Sequence, residues 1–427
     1  MVILLLFLVL GSVGNSGQPQ AVTLQFWGTF DDARFYSDAI ADFNKINPGA
    51  RVIYRAINFE DYEKQLIDSF AAGTGPDIWL MHNTWLPKHS DKIQPLPQEK
   101  LSGEDKPLLT LKEFQEQFVD VAVQDLMLGG QIYALPIYID TLALYYNKDL
   151  FNTAGITSPP KTWEEFNDAV KGLTSFDSRG NISRAAAAIG TAKNINRSTD
   201  ILALLMLQSG VKMTNNDHSS ATFAKSVSGA DVGETALQYY TDFANPSKQV
   251  YTWNDSQSYS IDAFVNGNAA MMLNYSHHIK TIRDKAARFN FAIAPVPQIA
   301  GASVAANYAN YWAPTVSKQS KNSIVAWKFL VYLSSTRGNS FYVNASNRPS
   351  ARRDLLEQQK TDPDLGVFAT QALSARSWYQ VDSTAIETIF AEMIDDVNFG
   401  RASVREALQA AENKVSVLMS RLRRSNF

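Results

Sequence analysis

The chain has 427 residues, of which 45% are hydrophobic and 19% charged, and a formal net charge of −3. It is globular, lacks the basic surplus of a nucleic-acid binder, and is too long for one core, since single cores seldom exceed roughly 250–300 residues. Cysteine is absent, which excludes disulfides, thiolate metal sites, a cysteine nucleophile and a lipid-modified cysteine tether.

The first predicted element is the apolar run Val2–Leu10, followed by Gly11-Ser12-Val13-Gly14. It fits the core of a secretory signal with a small-x-small cleavage site, although no Lys or Arg precedes it. Residues 1–21 are therefore read as a cleaved signal or an uncleaved anchor, with a buried helix or strand as the alternative. The run is shorter than the about 20 apolar residues of a membrane span.

From residue 22 strands and helices alternate. Val22–Trp27 reads as a strand, and Asp31 or Asp32 can cap a helix that puts Tyr36, Ala39, Ile40 and Phe43 on one face. Asn47-Pro48-Gly49 turns into strand Arg51–Ala56. A helix with Tyr62, Leu66 and Phe70 inward stops at Gly73, and Pro76-Asp77 leads into strand Ile78–Met81. This β-α-β-α-β order predicts a parallel sheet whose loops at the carboxyl ends of the strands are free to bind a ligand.

Tyr133–Pro136 is a short apolar run, Leu142–Tyr146 a β-rich one, and Asp149–Ala154 a short helix stopped by Gly155. Thr162-x-x-Glu165 reads as a capping box before Trp163, Phe166 and Val170 at helical spacing. The stretch from 161 to 255 is mostly helical. Ser260–Asn266 is a helix closed by Gly267, followed by strand Ala269–Asn274, a helix near Ile279–Arg288 and strand Phe291–Pro295. Helix Ser323–Ser335 follows. A last helix opens at the capping box Ser403-x-x-Glu406 and carries the stripe Val404, Leu408, Ala411, Val415, Leu418 and Leu422.

Several of these strings carry a resemblance. GQIYALP, YNKDLFNTAGI and PPKTWEEF within Gly130–Thr174 resemble the signature of family 1 extracellular solute-binding proteins, the sugar-binding subunits of ABC importers. NPGARVIYRAINFEDYEKQLIDSFAAGTGPDIW, AFVNGNAAMMLNYS and FAIAPVPQ are similar to further passages of that family, so the resemblance covers about 22–415. It implies an α/β fold of two lobes, each a mainly parallel sheet flanked by helices, joined by a multi-strand hinge. The implied first lobe is 22–137 with 290–346, and the second 138–289 with 347–427. Crossings are expected near Tyr138–Thr141, Ala287–Val296 and Asn347–Ser350.

No nucleophile, zinc, P-loop or dinucleotide motif is present. Two carboxylates of a glycosidase leave no sequence signature, so Asp31, Asp32, Asp140, Glu164 and Glu165 stay nominal candidates. Glu164 and Glu165 fall in a first helical turn, where acids are favoured by the helix dipole anyway. A sugar site instead needs aromatic platforms and a few planar polar groups. The resemblance puts these at Trp27, Thr29, Asp31 and Asp32 after the first strand, and at Asn83 and Trp85 after Pro76-Asp77. Tyr138 and Asp140 follow Leu135-Pro136, and Arg197 lies in the second-lobe loop. Asn274, Tyr275 and His277 follow Ala270-Met271-Met272, where many members carry Trp at the His277 position. Tyr311, Trp312, Trp378 and Tyr379 complete the set. Core packing is the alternative for Trp27, Trp312, Trp378 and Tyr379, helix capping for Asp31, and solvation for Arg197.

The expected function is a monomeric, extracytoplasmic importer subunit without catalysis, metal or cofactor. It would capture a carbohydrate, an oligosaccharide in particular, and deliver it to the transmembrane permease of an ABC importer. The alternatives are a carbohydrate-active hydrolase and a binding protein for a non-sugar such as a polyamine.

Overall fold

A computed structural model describes residues 22–102, 105–302 and 304–425. The expected signal or anchor segment at 1–21 lies outside them. Three strands, β1 (Val22–Gly28), β2 (Ala50–Ala56) and β3 (Ile78–His82), form with β13 (Trp312–Val316) a sheet of order β13-β3-β1-β2. The β1–β2 and β1–β3 pairs are parallel, and β13 runs antiparallel to β3. In β1, Leu24, Phe26 and Gly28 are buried while Thr23 and Gln25 are exposed, the period of two that covers one face of a strand. Helices Arg34–Ile46 and Phe59–Ala71 bury Tyr36, Ala39 and Phe43, and Tyr62, Leu66 and Phe70, against that sheet. These are the expected stripes.

The short hairpin β4 (Met127–Leu128) and β5 (Gln131–Ile132) precedes β6 (Asp140–Thr141) and β7 (Ala143–Asn147). The strands β8 (Ser175–Phe176), β9 (Ile182–Ala188), β10 (Ala269–Asn274) and β11 (Phe291–Ala294) join β7 in a second sheet, β11-β7-β10-β9-β8. Here only β9–β10 is parallel, and the other pairs are antiparallel. A mainly parallel sheet thus describes the first lobe, and the second lobe has a mixed one. The last helix, Val404–Ser425, packs Leu408, Ala411 and Val415 of its expected stripe into the second core, with Ala407 and Met419 beside them.

Between the two cores lies a ribbon of β6, β12 (Asn307–Asn310) and β14 (Ala375–Arg376), with β12 in the middle, antiparallel to β6 and parallel to β14. The first core draws its residues from Leu24 to Ile139 and from Ala309 to Ala375, and the second from Leu142 to Val296 and from Leu365 to Met419, with Tyr308 between. Two crossings therefore differ from expectation. The β11 strand is hydrogen-bonded to β7 inside the second sheet, and Ala351, Leu356, Ala369 and Ala372 pack in the first core. A short apolar run ended by proline looks the same at a sheet edge, where β11 lies, as in a crossing strand.

Candidate ligand-binding cleft

A cleft opens between the cores above β12. Its cavity volume is ≈ 80 Å3, well below the roughly 300–1,000 Å3 usual for small-molecule sites. The first lobe supplies an aromatic wall of Phe30, Phe59, Trp85 and Trp312. Gly28 ends β1 there, and a Cβ on it would lie 2.5 Å from the Tyr54 hydroxyl and 2.7 Å from Leu80 Cδ1. The chain then puts Phe30 at φ 63°, uncommon for a non-glycine residue. Its ring stacks on Phe59, the first residue of its helix, at 4.9 Å. Both rings stay half exposed, at 56% and 49%. Trp312 opens β13 opposite His82 of β3. Its ring lies 5.0 Å from Trp85, 5.8 Å from Phe30 and 5.3 Å from His82.

The second lobe supplies a polar wall. Arg197, at φ 64°, precedes helix Ser198–Gln208, whose Thr199 and Asp200 face the cleft. Helix Ser383–Asn398, capped by Asp382, presents Ser383, Thr384 and Glu387. Tyr308 and Asn310 of β12 line the floor. Asn310 joins the walls: its oxygen lies 3.3 Å from His82 Nε2, and its amide donates to Asp200 at 3.5 Å. The Tyr275 hydroxyl donates to the same Asp200 oxygen at 2.7 Å.

Burial sets the electrostatics of this wall. It raises the Asp200 carboxyl above its usual range despite Arg197 and the Tyr275 hydroxyl, and raises Glu387 with help from Asp200. Burial alone would lower the Arg197 guanidinium, but Asp200, Tyr275 and Glu387 raise it overall. The cation stays on the arginine. Burial also pushes His82 down to about 4, so its imidazole is neutral at neutral pH. Arg197 lies over the Tyr275 ring at 5.8 Å and its Nε is buried without a hydrogen-bond partner. Among the described residues its side chain makes no ion pair, which leaves its donors for a ligand.

Of the residues expected at a site, Trp85, Arg197, Trp312 and Trp378 line this cleft, and Tyr275 lies behind it through Asp200. The others do not line it. Asp31 is buried in the first lobe, paired with Arg348 at 2.9 Å and accepting from the Tyr36 and Tyr342 hydroxyls at 2.5 and 3.0 Å. Tyr138 lies under Arg348 at 4.3 Å, and its hydroxyl accepts from the Trp312 amide. Thr29 is buried beside Asp31, and the half-buried Trp27 carries Arg55 over its ring at 4.9 Å. Asp32 is exposed and takes the Arg34 amide and guanidinium, whose hydrogen bonds bring its carboxyl down to about 2.

Asn83 and Tyr311 both donate to Asp125 at 2.9 Å. Asp140 accepts from the Ser276 amide and hydroxyl, tying β6 to the turn after β10, with His277 Nδ1 at 3.6 Å. Asn274 takes the Tyr275 amide, and Tyr379 stacks on His218 at 4.3 Å. Trp312 is only 5% exposed and also packs on Tyr62, so its ring is both wall and core.

The cleft also takes Phe30, Phe59, Asp200, Asn310, Ser383 and Glu387, which sequence reading did not single out, and His82, which opens the segment His82–Trp85 expected after Pro76-Asp77. Phe30 and His82 adjoin flagged positions, and Asp200 lies three residues past Arg197 at the start of a helix. Glu387 and Ser383 sit on an ordinary amphipathic helix and give no local signal.

A family model described as bacterial extracellular solute-binding protein matches residues 38–367. The chain is similar to a binding protein of Brucella abortus, with 26% identity over 331 residues, 76% of this chain and 74% of the relative. It is 24% identical to the maltodextrin-binding protein of Bacillus subtilis over 376 residues, 87% of this chain and 84% of that one. Its fold is similar to the solved cyclic alpha-maltosyl-1,6-maltose binding protein of Arthrobacter globiformis. The TM-score is 0.76 at 20% identity, covering 94% of this chain and 100% of the other.

Proposed function

Because the chain belongs to the bacterial extracellular solute-binding proteins, we propose that it captures an oligosaccharide outside the cytoplasmic membrane and hands it to an ABC permease. The observation that carries this reading is the pairing of an aromatic wall with an unpaired Arg197 across one cleft. Sugar rings have flat C–H faces that stack on aromatic side chains, and hydroxyls that need a few planar donors and acceptors. The names of the Bacillus and Arthrobacter relatives support the sugar class. Among the described residues no helix is long and apolar enough to cross a membrane; export would rest on the segment 1–21.

The β6–β12–β14 ribbon is the hinge in this reading. Closure brings the lobes together where Lys88 meets Asp382 at 2.8 Å and Trp85 Nε1 donates to Ser383 at 3.2 Å. The closed face is what the permease would read. Catalysis is not part of the reading, because Asp200 is engaged by Tyr275 and Asn310 rather than free to activate water. A phosphate ester is disfavoured by Asp200 and Glu387, and a polyamine by the Arg197 cation.

A thermal-shift screen over linear and cyclic maltodextrins, galacto-oligosaccharides, glycerol phosphate and spermidine tests the reading. A ligand at 100 Kd adds about 2.7 kcal/mol to the folded state. Stabilisation by an oligosaccharide without release of reducing ends is the expected result. Stabilisation by the phosphate ester or polyamine alone, or sugar turnover, would replace it.

A further inference from the structure

Three cleft tryptophans come from three separate parts of the chain, yet the segments holding them converge on one side chain. Asn83 lies two residues before Trp85, Tyr311 immediately before Trp312, and Ser377 immediately before Trp378. The Asn83 amide and the Tyr311 hydroxyl both donate to Asp125 Oδ2 at 2.9 Å, and the Ser377 hydroxyl donates to Oδ1. All three donors are buried, at 3%, 0% and 6% exposure. Asp125 belongs to helix Asp120–Leu126 of the first lobe and does not line the cleft.

We propose that Asp125 is the positioning residue of the cleft, setting Trp85, Trp312 and Trp378 in register through these three donors. The chemistry asks for a short planar group with two polar atoms there. Two donors converge on one oxygen and a third on the other, which an acceptor-only group satisfies. Burial opposes the charge and pushes the carboxyl up to about 6. The inference rests on the proposal that this cleft is the binding site, but its first test needs no ligand.

Trp85 and Trp312 lie 5.0 Å apart with their planes at 73°, so their coupled near-ultraviolet circular dichroism reports their mutual orientation. Subtracting the spectrum of Trp312→Phe isolates that signal. Asp125→Ala should lose more than half of it while keeping its far-ultraviolet spectrum, and should bind maltotriose at least about tenfold more weakly, because three buried donors lose their acceptor. Asp125→Asn should retain both. Its amide oxygen can take the Asn83 and Tyr311 donors, and its NH2 can donate to the Ser377 hydroxyl.

An unchanged pair signal in folded Asp125→Ala overturns the proposal, even if its melting temperature falls. Should Asp125→Ala fail to fold, Tyr311→Phe and Asn83→Ala each remove one donor beside this pair. Partial loss of the signal in them supports the role, and an unchanged signal refutes it. If the wild type binds no maltotriose or other saccharide, the sugar reading fails while the spectra still decide the role of Asp125.

Discussion

Asp31 and Asp200 are both buried carboxylates beside an arginine and a tyrosine hydroxyl, and they do different work. Asp31 meets Arg348 at 2.9 Å and two tyrosines, deep in the first lobe. Asp200 takes Tyr275 and Asn310, while Arg197 stays unpaired at the cleft surface. The first closes on an ion pair, with Asp31 Oδ1 facing Arg348 but accepting no hydrogen bond. The second is an incomplete network, with donors and acceptors left over. A binding site is built from polar groups whose partners the fold withholds, because a ligand can then supply them.

Changes on the two sides should break this comparison in opposite ways. The largest effect is expected for Asp31→Ala. Removing one partner of a buried pair costs about 3–5 kcal/mol, and denaturant unfolding should register it as lost stability. Sugar affinity of the protein that stays folded should hold. Lost affinity at unchanged stability would put Asp31 in the site after all.

Arg197→Met should do the reverse. Hydrogen bonds to a charged group contribute about 1.5–3 kcal/mol, so calorimetry should find affinity reduced by that amount while the unliganded melt barely moves. A large drop in the unliganded melting temperature would make Arg197 a scaffold residue like Arg348.

His82 sharpens the comparison through pH. Its folded value is about 4 against an ordinary 6.5, so between those values the unfolded chain binds a proton that the folded chain refuses. Stability is therefore complete above about 6.5 and is lost as pH falls toward about 4. His82→Gln should remove that share of the slope. Asp125, raised to about 6, acts in the opposite direction, so the difference between the two unfolding curves is the quantity to read. Equal slopes would mean that His82 is not buried as the structure has it.

Lys88→Met should have the smallest effect. The Lys88–Asp382 contact is half-buried and worth well under 1 kcal/mol. If it helps close the lobes, small-angle scattering should find the unliganded variant more expanded than the wild type and the saturated variant the same.

The legibility of the sequence follows the same division. Helix Phe59–Ala71 and strand β1 (Val22–Gly28) were readable because burial of one face imposes a period on the chain. The mixed second sheet was not, because buried parallel and antiparallel strands have similar composition. In the cleft, Trp85, Arg197, Trp312 and Trp378 come together from positions that flanking motifs single out. The Asp31–Arg348 pair was not legible, because its members lie more than three hundred residues apart in the sequence. Asp200 and Glu387 were missed because a helical acid reads as a solvated one until the opposing wall is known.

Calorimetric titration of the wild type and of Arg197→Met with the most stabilising oligosaccharide tests the central claim most directly. The account predicts saturable one-to-one binding by the wild type, no product, and at least about tenfold weaker binding by the variant at equal unliganded stability. Equal affinities in the two proteins would contradict it and move the binding site out of this cleft.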